Sequence, residues 1–276
     1  MSSLHPKKVV LISGASSGIG YACATYLANK GYTVYGTSRQ LEKVANPEKE
    51  WTMLSLDVRQ NQSVVDCIQQ ILTKEGHLDA VVNNAGFGIS GAIEDTSLEE
   101  AKDQFEVNFF GALRIIQNVL PTMRRQGQGT IINISSLGGL IGLPFQALYS
   151  ASKFALEGLS EALYKEVRSA GIQIVLIEPG DFKTAFTANR RTTAKSQSDT
   201  SYKEAFSRAL AIMEQDETQG DDPLKIARLV EQILTTTDPR LRYRVGAFTQ
   251  KLAVSLKAVL PNRVFDWLIM NHYSID

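Results

Sequence analysis

Ser13-Gly14-Ala15-Ser16-Ser17-Gly18-Ile19-Gly20 is the stretch that decides the fold. It follows a short apolar run, Lys8–Ser13, and opens a helical pattern over residues 18–29. Three glycines between a strand and a helix have separate physical uses. One permits a tight turn, one lets the backbone approach a pyrophosphate, and one lets helix and strand pack closely. The helix start then offers free N–H groups and the positive end of its dipole to an anion. The spacing is Gly-x-x-x-Gly-x-Gly, unlike the more familiar Gly-x-Gly-x-x-Gly. Alone, it fits both a nucleotide loop and a purely structural turn.

Further along, β-branched apolar runs recur at Thr33–Thr37, Thr52–Leu56, Ala80–Asn83, Thr130–Ile134 and Ile172–Ile177. Their near-continuous apolar character suits parallel strands buried on both faces. Helical patterns fill the gaps at 61–75, 97–126 and 147–170, and Gly31 and Gly171 read as left-handed caps. The alternation predicts an α/β fold: one Rossmann-like, doubly wound parallel sheet with helices on both faces. We read residues 1–276 as a single domain, with a core over 8–180 and a lid and C-terminal extension over 181–276. Residues 181–200 are polar and read as a mobile loop or lid. Helices are expected near 201–215 and 222–236, and a last strand near 242–246.

Composition narrows the function. The 29 basic and 29 acidic residues cancel, which argues against bulk attraction to nucleic acid or an anionic membrane. Cys23 and Cys67 read as reduced thiols packed on helices, and the scattered His5, His77 and His272 predict no metal site. Met1–Lys8 lacks a signal-peptide core, and no run of about 18 apolar residues occurs, so a cytoplasmic location is expected.

Further motifs follow the glycine loop in order: Asn83-Asn84-Ala85-Gly86, Asn108, Ser136, Tyr149-x-x-x-Lys153, and Pro179-Gly180 with Thr184. Over roughly residues 8–185 the chain resembles the short-chain dehydrogenase/reductase family. Pro179-Gly180-Asp181-Phe182-Lys183-Thr184 looks like its steroid and retinol dehydrogenase-type members, and the whole also resembles its carbonyl reductases.

Tyr149 and Lys153 lie four apart in a helical pattern and so share a face. A phenol with a pKa near 10 is a weak base at neutral pH. An ammonium about 4 Å away is worth roughly 4 kcal/mol at a dielectric near 20. At about 1.36 kcal/mol per unit, that would lower the tyrosine pKa by up to about three, with burial opposing it. By spacing alone the pair reads as an exposed helix pair; Ser136 thirteen residues upstream, the glycine loop and the resemblance make it catalytic. Ser136, just past a strand end, is placed to donate to a substrate oxygen. Its neighbour Ser135 is assigned to local backbone bonds. The resemblance implies that Asn108 holds a water linking Lys153 to solvent. It also implies hydride transfer between a nicotinamide and a carbonyl, with Tyr149 moving the proton and Lys153 holding the nicotinamide ribose.

No carboxylate ends the second strand before Glu42, whereas Ser38 and Arg39 suit a 2′-phosphate, so NADP(H) is expected. Ser17 departs from NADP(H)-preferring relatives that carry a basic residue there. The resemblance places the phosphates over Gly14, Ser16, Ser17, Gly18, Ile19 and Gly20. It places the adenosine against Asp57, Val58, Asn84, Ala85 and Gly86, and the nicotinamide against Tyr149, Lys153, Pro179, Gly180 and Thr184. Asn83 is expected to tie strands together.

Gly88, Ser136, Leu137, Phe145, Tyr149, Phe182 and Phe186 are candidate substrate contacts, joined by parts of 188–215. Their apolar character predicts a steroid-, retinoid- or aryl-ketone-like ketone or secondary alcohol. The tail, residues 251–270, is rich in Leu, Val, Phe and Trp. It reads as a flap over the pocket or a subunit contact, with peripheral membrane attachment as the alternative. The resemblance implies a homodimer or homotetramer paired through the 97–126 and 147–170 helices. The competing readings are a non-catalytic dinucleotide sensor, a sugar-nucleotide epimerase or dehydratase, and a nucleic-acid-binding module.

Overall fold

The computed structural model describes residues 7–40, 50–198 and 200–275. Glu42 and the first six residues lie outside them. In chain order the elements are β1 (Val9–Ile12), α1 (Gly18–Asn29), β2 (Thr33–Ser38), β3 (Thr52–Ser55), α2 (Asn61–Glu75), β4 (Ala80–Asn83), β5 (Ile89–Ser90) and α3 (Leu98–Phe105). They continue with α4 (Gly111–Gln126), β6 (Gly129–Ile134), α5 (Ala147–Val167), β7 (Ile172–Pro179), α6 (Phe186–Asn189), β8 (Arg191–Thr192) and α7 (Lys203–Thr218). The last four are α8 (Leu224–Thr235), β9 (Arg242–Val245), α9 (Phe248–Lys257) and α10 (Asn262–His272).

Seven strands form one sheet in the order β3-β2-β1-β4-β6-β7-β9, and every pairing is parallel. The chain steps outward from β1 to β2 and β3, then returns to place β4 on the other side of β1. That reversal opens a crevice at the carboxyl ends of β1 and β4, where ligands bind in sheets of this kind. Alternation along the strands fills two cores. Val9, Leu11, Ile131 and Ile174 point to the side carrying Ile71 of α2, Ile115 of α4 and Leu163 of α5. Val10, Ile12, Ile132 and Val175 point to the side carrying Leu27 of α1 and Val230 of α8. Cys23 and Cys67 are buried, free thiols on α1 and α2. Asn83 Nδ2 donates to Asn133 Oδ1 at 2.8 Å, and Asn133 Nδ2 donates to Ser160 Oγ at 2.8 Å. The expected tie between β4 and β6 is therefore present and extends to α5. Gly31 and Gly171 both have left-handed backbones, with φ of 89° and 71°.

Two expectations need correction. The pattern over 97–126 is not one helix: a π-helical turn, Glu106–Phe110, separates α3 from α4. The wide turn carries Asn108, whose amide is fixed by the neighbouring β4–β5 loop. Such turns recur at functional sites. The polar 181–200 stretch is not a loose loop. It holds α6, and β8 pairs with β5 in parallel. Its polar groups are used internally: the Thr193 and Ser196 hydroxyls bond at 2.5 Å, and Ala194 N donates to Glu100 Oε1 at 3.0 Å.

Candidate active site

A cleft of about 1040 Å³ opens at the carboxyl ends of the central strands. At one end lies the glycine loop. Gly14 has φ of 67°, and a Cβ there would stand 2.9 Å from Ala85 Cα; a Cβ on Gly20 would stand 2.4 Å from Gly14 O. The loop thus needs glycine for both conformation and packing. Ser17 begins α1 without a side-chain cap, and no acidic residue occupies the first turn. The first amides of α1 therefore keep unsatisfied N–H groups beside the cleft. Ser16, Ser17, Gly18 and Ile19 line it, while Gly20 packs behind. Asn84 clamps the loop from the side, its Nδ2 donating to Ser13 O at 2.9 Å and Gly14 O at 3.0 Å.

Ser38, Arg39, Val58, Ala85, Gly86 and Thr184 also line the cleft, with Leu56 an addition that had no motif to mark it. Asp57 does not line it. Its carboxylate is held by Arg59, through Nε at 3.0 Å and Nη2 at 2.7 Å, and this pairing lowers its pKa. The Asp57 side chain is therefore committed to a salt bridge. Arg59, two residues on, was the available signal.

At the inner end, Ser136, Tyr149 and Lys153 come together. Tyr149 and Lys153 are 8% and 6% exposed, so the helix-surface reading of their spacing falls. Ser136 Oγ accepts from Gly138 N at 3.0 Å and donates a long 3.5 Å bond to Pro179 O. Ser136 Oγ and the Tyr149 ring flank Gly138 together, and the hydroxyl is near enough to favour the phenolate. Lys153 Nζ donates to Ile134 O at 2.8 Å and lies 5.8 Å from the centre of the Tyr149 ring. Burial pushes the Tyr149 pKa up to about 12; the Ser136 hydroxyl opposes this, and the Glu217 and Asp181 carboxylates reinforce it. The expected lowering by Lys153 is not found, because desolvation of the phenol outweighs the favourable contacts. Burial pushes Lys153 itself down to about 8, against an upward pull from Glu157.

Asn108 does not line the cleft. Its Oδ1 accepts from Phe87 N at 3.0 Å, and its Nδ2 donates to Phe87 O at 3.0 Å and Ser152 Oγ at 3.2 Å. Both amide hydrogens are thus used in clamping the β4–β5 loop to α5, leaving one Oδ1 lone pair for a water. Ser135 departs from expectation as well: its Oγ is buried with no hydrogen-bond partner, so it makes no local backbone bond.

Leu137, Phe182 and Phe186 line the inner part of the cleft, and the Phe186 ring sits 5.7 Å from that of Tyr149. Gly88 is outside the lining but leaves room for Phe186, whose Cζ would be 3.0 Å from a Cβ at Gly88. Phe145 is not a lining residue. Its backbone has φ of 56°, and its ring packs 5.5 Å from Phe206 of α7. The wall includes carboxylates that local sequence did not flag. Glu217 bonds Arg190 and, at 2.5 Å, Thr187; Asp181 bonds Gln250, and burial first, then Glu217, pushes its pKa up to about 6. These groups come from α6, α7 and the end of β7, so no spacing joins them. Helices α9 and α10 close the cleft with Leu252, Phe265, Leu268 and Tyr273.

Comparison with known proteins agrees with this geometry. Residues 8–195 match the family described as short chain dehydrogenase. A 3-ketodihydrosphingosine reductase of Bacteroides thetaiotaomicron is 40% identical over 268 residues, covering 97% of this chain and 98% of its own. Retinol dehydrogenase 8 of Bos taurus is 36% identical over 272 residues, covering 92% and 86%. A solved alcohol dehydrogenase from the archaeon Thermococcus sibiricus, complexed with 5-hydroxy-NADP, superposes with a TM-score of 0.70 at 27% identity, covering 88% and 97%. A match that runs from β1 past the Tyr149–Lys153 helix, with relatives alike over nearly their full length, shows that this chain belongs to the short chain dehydrogenase family of oxidoreductases.

Proposed function

We propose that the protein is an NADP(H)-dependent oxidoreductase that interconverts an apolar ketone and its secondary alcohol, with Tyr149 as the proton-transferring group. The observation that carries this reading is the convergence of Ser136, Tyr149 and Lys153 at the inner end of a cleft whose other end is the glycine loop.

The uncapped start of α1 and the glycine cradle fit a dinucleotide. Gly14 to Gly20 would hold the pyrophosphate, and Ser38 and Arg39 a 2′-phosphate. Val58 would meet the adenine, and Asn84, Ala85 and Gly86 its ribose. Lys153 would hold the nicotinamide ribose, with Pro179, Gly180 and Thr184 around the carboxamide. When bound, the cofactor supplies or accepts the hydride. The chain's residues handle the proton. With its pKa pushed up to about 12, Tyr149 keeps its proton at neutral pH and donates it to the carbonyl oxygen as charge develops there. The hydroxyl of Ser136, weakly engaged with Pro179, re-aims to the same oxygen. Lys153 contributes a cation that stabilises the phenolate left behind.

The NADP(H) preference is supported by Arg39 and by the absence of a carboxylate at positions 38–40. The apolar substrate class is supported by Leu137, Phe182 and Phe186 beside Tyr149, and by relatives named for 3-ketodihydrosphingosine and for retinol. Steroid-, retinoid- and aryl-ketone-like compounds share that class. Exposed Phe110, beside α4, and Phe154 of α5 give those helices an outer face suited to pairing with a second copy. The test is a panel of apolar ketones with NADPH and with NADH, followed by nicotinamide absorbance. We expect turnover with NADPH in preference to NADH. An NADH preference would overturn the cofactor assignment, and no turnover with any carbonyl would favour a non-catalytic sensor.

A further inference from the structure

Seven of the thirteen large apolar side chains exposed among the described residues fall between positions 248 and 270. Phe248 is 74% exposed, Leu252 42% and Val259 80%; on α10, Val264 is 45%, Trp267 62% and Leu268 38%. The spacings place Phe248 and Leu252 on one face of α9, and Val264, Trp267 and Leu268 on one face of α10, with Val259 exposed in the turn between the helices. The opposite faces are satisfied: Val254 and Phe265 are buried against Leu137 and Ile141. Each helix is therefore apolar inward, where it roofs the cleft, and apolar outward, where no described residue covers it. A concentration of this kind marks an interaction surface.

Two observations select the partner. The first is charge. Lys251 and Arg263 stand beside the apolar face, Arg263 one turn before Trp267, and among the described residues neither makes an ion pair. Asp266 is the one acid between residues 248 and 272. A face of Trp, Phe and Leu with unpaired cations complements the anionic headgroup region of a lipid surface. The core of a two-fold interface between copies would instead exclude charge and set like cations against each other. The second is continuity. Leu252 and Leu268 line the cleft and are also exposed, so the outer apolar surface runs unbroken into the cleft mouth. No described helix is long and apolar enough to cross a membrane, so attachment would be peripheral.

We propose that the α9–α10 hairpin docks on an anionic lipid surface, turning the mouth of the cleft toward the apolar interior from which a lipid-soluble substrate enters. The docking stands on the surface alone; only the direction of substrate access rests on the proposed function.

The test is flotation of the full chain with vesicles of phosphatidylcholine alone and of phosphatidylcholine with phosphatidylglycerol. Tryptophan emission is recorded in parallel. Trp51 is buried, so a lipid-dependent blue shift reports on Trp267. We expect binding to the anionic vesicles with a blue shift, weakened roughly tenfold or more by Phe248→Ser with Trp267→Ser. Lys251→Gln with Arg263→Gln should weaken it and reduce its salt dependence. Circular dichroism and turnover of a water-soluble ketone by the serine variant should match the parent, because neither residue lines the cleft. Failure of that turnover in the parent would count against the proposed function and leave the vesicle result standing. Absence of vesicle binding, or binding unchanged in the serine variant, would overturn the docking proposal. So would a solution mass that falls in the serine variant, which would assign the face to a second copy.

Discussion

Lys153 Nζ lies 5.8 Å from the centre of the Tyr149 ring, anchored by a 2.8 Å bond to the Ile134 carbonyl. Both side chains are buried, and burial moves them in opposite senses, the phenol to about 12 and the amine to about 8. The lysine, not the tyrosine, is the group that titrates near neutral pH. Below about 8 it is charged and, on the proposed mechanism, would support proton donation from Tyr149; as pH rises through 8 the cation is lost. Ketone reduction should therefore be flat in kcat/KM at lower pH and fall with the loss of one proton near pH 8. Lys153→Arg, which keeps its charge, should move that limb upward even where its overall rate is lower. An unmoved limb would assign the titration to another group.

Arg39 should decide between the cofactors. A charge-assisted bond to a 2′-phosphate is worth about 1.5–3 kcal/mol. At about 1.4 kcal/mol per decade, Arg39→Ser should raise KM for NADPH roughly ten- to a hundredfold. KM for NADH should stay nearly constant, because it lacks that phosphate. Steady-state kinetics with both cofactors measures the difference.

Asn108 acts on the site through position. Its removal leaves the half-buried Phe87 amide without its partner, which costs about 2–3 kcal/mol with the other lost bonds. Asn108→Ala should lower Tm by roughly 5–10 °C and reduce kcat by loosening α5 around Ser152. Asn108→Asp retains the acceptor for Phe87 N and loses the donors, so its Tm should fall between the two. Thermal melts with matched kcat values check this; a normal melt with a large kcat loss would point to a relay role instead.

The sheet was legible because its strands are buried on both faces, so each is a short β-branched run: Ala80–Asn83 has the bounds expected, and Ile172–Pro179 exceeds its expected span by two residues. The order of motifs from Gly14 to Thr184 located the cleft for the same reason, since strand ends converge at the topological switch. What escaped was set by tertiary context. The π turn at Glu106–Phe110 leaves the apolar pattern of 97–126 almost undisturbed, so periodicity reads straight through it. The rise in the Tyr149 pKa comes from burial and from Glu217 and Asp181, distant in sequence. Phe145 looked like a pocket aromatic, but its left-handed backbone turns it onto Phe206. Asp57 was different, because Arg59 stood two residues away and a local pair was readable.

The central claim is that the phenol of Tyr149 moves the proton, and Tyr149→Phe tests it most directly. The substitution keeps the ring against Phe186 and removes only the hydroxyl. NADPH binding, measured by quenching of protein fluorescence, should keep its Kd within about twofold, while ketone-dependent NADPH oxidation falls by roughly 10²–10⁴-fold. Turnover within about tenfold of the parent, with cofactor binding intact, would contradict the account.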